Sequence, residues 1–171
     1  MSTVNVNRSK RECVYEMQLE ARAEEVFPLL CPVREDDWVI DWKEIATLIS
    51  SGSGVAELGA VFQTQHEGEK PVTWVVTRYE PSERIAFVRF GEDVVAGLDI
   101  VLAEVAGKTR ATWTTTQVGT SEAGDVRVEA VTQEAYDTSH VRLELMLQHY
   151  LSTGEMIDAE DLHRRTDTPA H

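Results

Sequence analysis

Long apolar runs are missing from this sequence. No stretch approaches the ~20 consecutive apolar residues that a membrane-crossing helix needs, so no membrane span is expected. Basic charge is also scarce: 16 Lys and Arg stand against 30 Asp and Glu, a formal net charge of −14 at pH 7. Nucleic acid is bound through a basic footprint, and an anionic membrane surface through a basic patch; neither partner fits this chain. Cysteine is limited to Cys13 and Cys31, both in apolar surroundings and not in a close pair. That pattern reads as buried free thiols in a reducing, cytoplasmic setting. Residues 1–11 are polar with no apolar centre, so no signal peptide is expected there.

Chemical motifs are sparse too. Gly52 and Gly54 lie in a serine-rich turn with no following lysine, which is no phosphate cradle. No serine has a nucleophile elbow around it. His140 and His149 are nine apart, half a turn out of phase on a helix, so they cannot share a metal. No metal and no cofactor is expected. The carboxylates Glu35, Asp36 and Asp37 precede Trp38 and are taken first as a solvated helix start, with acid–base chemistry beside the indole as the alternative.

What is present is periodicity. At 171 residues and 42% hydrophobic content, the chain fits one domain able to bury a core unaided. Cys13, Tyr15, Met17 and Leu19 alternate with polar positions, as in a strand with one wet face. Ala23 to Phe27 starts a short helix, cut by Pro28, and Trp38 and Trp42 sit on one face of a second. Strand-like runs follow at 45–49, 60–66, 72–79, 84–90, 94–105 and 108–118, separated by short turns that favour antiparallel neighbours. Gly59 and Gly97 are read as bends or bulges. The inward faces of 72–79 and 84–90 stay open, because both sides are apolar; one outer face is compatible with a homodimer.

The period then changes. Residues 119–125 read as a loop, and 128–153 as one long helix stopped at Gly154. Its polar arc holds Gln133, Glu134, Asp137, Glu144 and Gln148; the opposite face, with Ala135, Ser139, Met146 and Tyr150, is expected to point inward and leave room for a cavity. The domain is expected over 12–154, with polar termini at 1–11 and 155–171, the tail from Asp158 frayed.

Strand, two short helices, a six-strand meander and a long last helix resemble the START/polyketide-cyclase (SRPBCC) superfamily. Ala23-Glu24-Glu25-Val26-Phe27-Pro28-Leu29-Leu30 is similar to its first helix, Trp38 and Trp42 to tryptophans after its second, and Val75-Val76-Thr77-Arg78-Tyr79-Glu80-Pro81 to one of its strand-and-turn units. The resemblance covers about residues 12 to 153 and implies an α+β helix-grip fold: a seven-stranded curved antiparallel sheet around a long C-terminal helix. It also implies an apolar pocket between sheet and helix and no universal catalytic residue.

On that basis the expected function is binding of a small hydrophobic or aromatic ligand. The alternatives are a cyclase, dehydratase or hydrolase using a pocket histidine or carboxylate, and a protein-interaction module of the chaperone co-activator type. Tyr15, Trp38, Trp42, Phe62, Trp74, Phe87 and Trp113 are the expected aromatic wall. Thr64, Thr115, Ser139 and His140 are its expected polar contacts, and Ala135 and Met146 its helix side.

Overall fold

The computed structural model describes residues 7–167. Alternation does produce a first strand: β1 (Lys10–Leu19) buries Cys13, Met17 and Leu19 on one side. After it come α1 (Ala23–Val26), 3-10 turns at Phe27–Leu30 and Glu35–Asp37, and α2 (Trp42–Ile45). Pro28 ends α1 after one turn, as its missing N–H requires. The meander follows as β2 (Ala46–Ser50), β3 (Val61–Thr64), β4 (Val72–Glu80), β5 (Arg84–Phe90), β6 (Val94–Val105) and β7 (Lys108–Gly119). All seven strands form one antiparallel sheet in the order β1-β7-β6-β5-β4-β3-β2. The chain ends in α3 (Glu122–Glu129), α4 (Gln133–Thr153) and α5 (Ala159–Asp167). This is the expected helix-grip architecture, a curved open sheet with the long helix against it.

Register settles the inward faces that alternation left open. Phe62, Trp74, Arg89, Ala96 and Gln117 are successive cross-strand partners in one row. Val76, Phe87, Leu98 and Thr115 form the next row, and Ile85, Ile100 and Trp113 the one below. A bulge between Val76 and Arg78 re-phases β4, so Tyr79 pairs with Ile85 and meets the Phe27 ring edge-on. Gly97 is no bend: it pairs with Val88 and Thr116 in unbroken register.

The last third departs from expectation in three ways. First, the long helix is two helices. Thr132 is extended and its hydroxyl accepts from the Ala135 N–H, which caps α4 and separates it from α3. Residues read as a loop belong to α3, capped by Ser121 through the Gly124 N–H. Gly124 is required there, because a Cβ would lie 1.9 Å from the Asp93 carbonyl oxygen.

Second, α4 is rotated from its expected setting. β1 is a sheet edge, and its unpaired backbone groups need partners. The polar arc supplies them. Glu144 accepts from the Gln18 N–H, Gln148 from the Glu20 N–H, and Gln133 bonds both backbone groups of Val14. Ala135 is therefore exposed, while His140, Met146 and Leu147 are buried.

Third, the tail is folded. Ile157 and Leu162 are 2% and 1% exposed and join the same core as Met17, Trp38 and Leu147. The polar composition of 155–171 hid two apolar anchors, Ile157 before α5 and Leu162 on it; residues 168–171 lie outside the described residues. Gly154 caps α4 as expected, left-handed at φ 75°, its N–H on the Tyr150 carbonyl. No described helix is long and apolar enough to cross a membrane.

Candidate functional site

Between the inner sheet face and α4 lies a cavity of about 420 Å³. The sheet supplies its floor: Phe62 and Thr64 from β3, Trp74 from β4, Phe87 and Arg89 from β5. Ala96 and Leu98 of β6 and Trp113, Thr115 and Gln117 of β7 continue it. Tyr136, Ser139, His140 and Leu143 close one side from α4. Glu35, Val39, Trp42 and Ile45 close the other, from the segment between the 3-10 turn and β2.

Of the residues expected at the site, Trp42, Phe62, Thr64, Trp74, Phe87, Trp113, Thr115, Ser139 and His140 line this cavity. Four do not. Trp38 is fully buried beneath it, its indole N–H donating 2.8 Å to the Leu29 carbonyl, and it shares no helix with Trp42. Asp41 turns the chain left-handed between the two tryptophans, and the Trp42 indole N–H donates 2.6 Å to the Pro32 carbonyl instead. Tyr15 stands behind His140 and donates 2.6 Å to Glu144. Met146 is core, and Ala135 faces outward because the polar arc of α4 faces β1.

Sequence alternation missed Arg89, because only register assigns β5 an inward side; Ala96 and Leu98 of β6 went unassigned, and Gln117 shares the parity of Trp113 and Thr115 on β7. Tyr136 and Leu143 follow from the rotation of α4. His140 and Leu143 sit three apart, so either one would have predicted the other's face.

The aromatic wall is ordered by ring contacts. Phe62 stacks on Trp74 at 5.5 Å, and Phe87 meets both edge-on. The Trp74 indole N–H donates 2.9 Å to the Thr64 hydroxyl. On the helix side Tyr136 stacks on His140 at 3.8 Å, and Trp113 meets His140 edge-on. Thr115 and Tyr136 share a hydroxyl–hydroxyl bond of 2.9 Å.

Ionisable groups in this setting are displaced from their usual behaviour. His140 Nδ1 lies 2.8 Å from the Tyr136 carbonyl, which places the ring proton on Nδ1. Burial holds the imidazole below its usual pKa, so it is neutral at pH 7, with Nε2 lacking a protein partner among the described residues. Glu35 is half-buried, yet the protein around its carboxyl pushes it up to about 8. Burial raises Tyr136 and lowers Arg89. No group of three His, Cys, Asp or Glu able to hold a metal occurs among the described residues.

No protein-family model and no curated protein matches the sequence. Solved structures do. DynU16, from the dynemicin biosynthetic locus, matches at 17% identity and TM-score 0.55 over 84% of this chain and 48% of its own, so this chain spans about half of its length. Norcoclaurine synthase from Thalictrum flavum matches at 10% identity and TM-score 0.63, over 85% of this chain and 88% of its own. That enzyme is also known in complex with dopamine and hydroxybenzaldehyde. The Aha1 dimer from Colwellia psychrerythraea matches at 17% identity and TM-score 0.57, over 84% of this chain and 98% of its own. With the strand order, the long helix α4 and the cavity between it and the sheet, these likenesses show that the chain has the helix-grip fold.

Proposed function

We propose that the cavity binds a small, largely apolar molecule carrying an aromatic ring. The observation that carries this reading is the wall itself: Trp42, Phe62, Trp74, Phe87 and Trp113, from five separate elements, surround a space of about 420 Å³. A core without a ligand close-packs its aromatics; a space this size is in the range of small-molecule pockets, roughly 300–1,000 Å³. The aromatic compounds held by norcoclaurine synthase support the same ligand class. The buried free thiols Cys13 and Cys31 support a cytoplasmic location. Titration with a neutral naphthalene derivative, followed by tryptophan fluorescence, tests the reading. Saturable quenching is expected; none at any attainable concentration would overturn it.

A second reading, acid–base chemistry on the bound molecule, is favoured by Glu35. Its carboxyl lines the cavity without a hydrogen-bond partner among the described residues and holds its proton up to about pH 8. Native mass spectrometry of protein from its own host distinguishes the two readings. A retained molecule that differs between wild type and Glu35→Gln supports turnover. The same molecule at the same occupancy in both sinks it.

A further inference from the structure

We infer that the cavity selects an aromatic acid, whose ring lies among the tryptophans and whose carboxylate pairs with the Arg89 guanidinium. This rests on the ligand-binding reading above. Arg89 lies on the inward row of β5 between Trp74 and Ala96, with Cζ 5.3 Å from the centre of the Trp74 ring. Acidic side chains outnumber basic ones almost two to one, 30 against 16. Arg8, Arg34, Arg78, Arg84, Arg110 and Arg127 each have a carboxylate within 4 Å. Arg89 has none among the described residues. Among the described residues the Trp74 ring face lies beneath it, and a cation over a ring recovers only part of what desolvation takes away.

Trp113 lines the same cavity with its ring, but its indole N–H is buried behind that surface, with no acceptor among the described residues. Buried donors without partners are uncommon, since each costs about 1–3 kcal/mol. The cavity thus offers a forked guanidinium that no described carboxylate pairs with, among mainly aromatic and aliphatic side chains; Glu35 and the exposed Glu69 are the acids of its lining. A planar carboxylate takes a guanidinium through two parallel bonds, and an attached ring matches the stacked Phe62 and Trp74. Glu35 does not oppose an anion at neutral pH, because burial keeps it protonated. An inorganic anion would satisfy Arg89 but leave the apolar walls bare.

The test compares naphthoate with naphthamide, the same shape without the charge, by tryptophan quenching at pH 7. Wild type should bind naphthoate about tenfold or more tighter than naphthamide. That ratio should collapse toward one in Arg89→Met and be intermediate in Arg89→Lys, which keeps the charge but loses the fork. Circular dichroism and melting establish that each variant is folded; should Arg89→Met not fold, the wild-type ratio and Arg89→Lys decide. Equal binding of the two probes by wild type, or a preference that survives in a folded Arg89→Met, overturns the inference and leaves the cavity reading standing. Failure of both probes to bind removes the two together.

Discussion

Gln133 of α4 bonds both backbone groups of Val14: its Nε2 donates 2.8 Å to the Val14 carbonyl, and its Oε1 accepts from the Val14 N–H at 3.3 Å. The side-chain amide does for edge strand β1 what another strand would do. Farther along, Glu144 accepts from the Gln18 N–H and the Tyr15 hydroxyl, both at 2.6 Å. These contacts set the rotation of α4, and so decide that Tyr136, His140 and Leu143 reach the cavity while Ala135 does not.

Truncating these contacts should therefore loosen the seat of the helix. Gln133→Ala should cost about 1 kcal/mol, since water can replace both bonds at an exposed site. Glu144→Ala should cost about 1–3 kcal/mol, because a charge-assisted acceptor is lost to two donors. Burial, then Glu144, hold the Tyr15 phenol well above its ordinary pKa, so ultraviolet titration should show it ionising more easily in Glu144→Ala. Denaturant melts that are neutral for both variants would show that apolar packing alone seats α4.

Ala96 is the small residue of the cavity floor, 2% exposed and between Arg89 and Gln117 in its row. Ala96→Phe should fill open space, leaving stability within about 1 kcal/mol while abolishing uptake of an apolar probe. In a close-packed interior the same change costs about 1–3 kcal/mol or more. Thermal melting beside probe titration separates the outcomes.

Glu35 makes stability depend on pH. Its carboxyl is raised from an ordinary 4.5 to about 8 in the folded protein. Below the lower value both states hold the proton. Between the two only the folded protein does, so stability falls as pH rises and levels off above about 8. Among the groups facing the same cavity, His140 is depressed from 6.5, so its own cost appears as pH falls below that value. Above pH 7 Arg89 stays charged and Tyr136, raised by burial, stays neutral, which leaves Glu35 the group of interest. Glu35→Gln should gain on wild type progressively from about pH 4.5 to about pH 8, reaching a few kcal/mol at the upper end. Parallel denaturation curves with no such divergence would contradict the buried setting of this carboxyl.

Gly154→Ala should destabilise by about 1 kcal/mol. A Cβ there meets nothing within 4 Å, so the whole cost is the left-handed backbone at φ 75°. Chemical denaturation measures it, and a neutral result would mean the last turn of α4 relaxes freely.

Much of the fold was legible because period-two and period-3.6 patterns are local. Cys13, Met17 and Leu19 on one face of β1, and Gly154 at the end of α4, depend on neighbours a few residues away. The α3–α4 break was harder to see, since Thr132 and Ser121 act as caps through single hydroxyl bonds inside an otherwise apolar pattern. The tail misled because two apolar residues, Ile157 and Leu162, anchor it within a polar composition.

By itself the sequence determined the strands, the meander, the body of the long helix α4 and an aromatic set too large and too dispersed for one face. Those follow from side-chain period, turn chemistry and charge, which are properties of short segments. Tertiary structure alone decided which faces meet. Register across β3 to β7 turned Trp74, Arg89 and Gln117 inward together, though they are far apart in the chain. The polar arc of α4, which amphipathicity assigns to water, went to the β1 edge instead, because unpaired backbone groups on a sheet edge outrank a generic preference for solvent. From that one rotation follow the buried His140, the exposed Ala135 and the shape of the cavity.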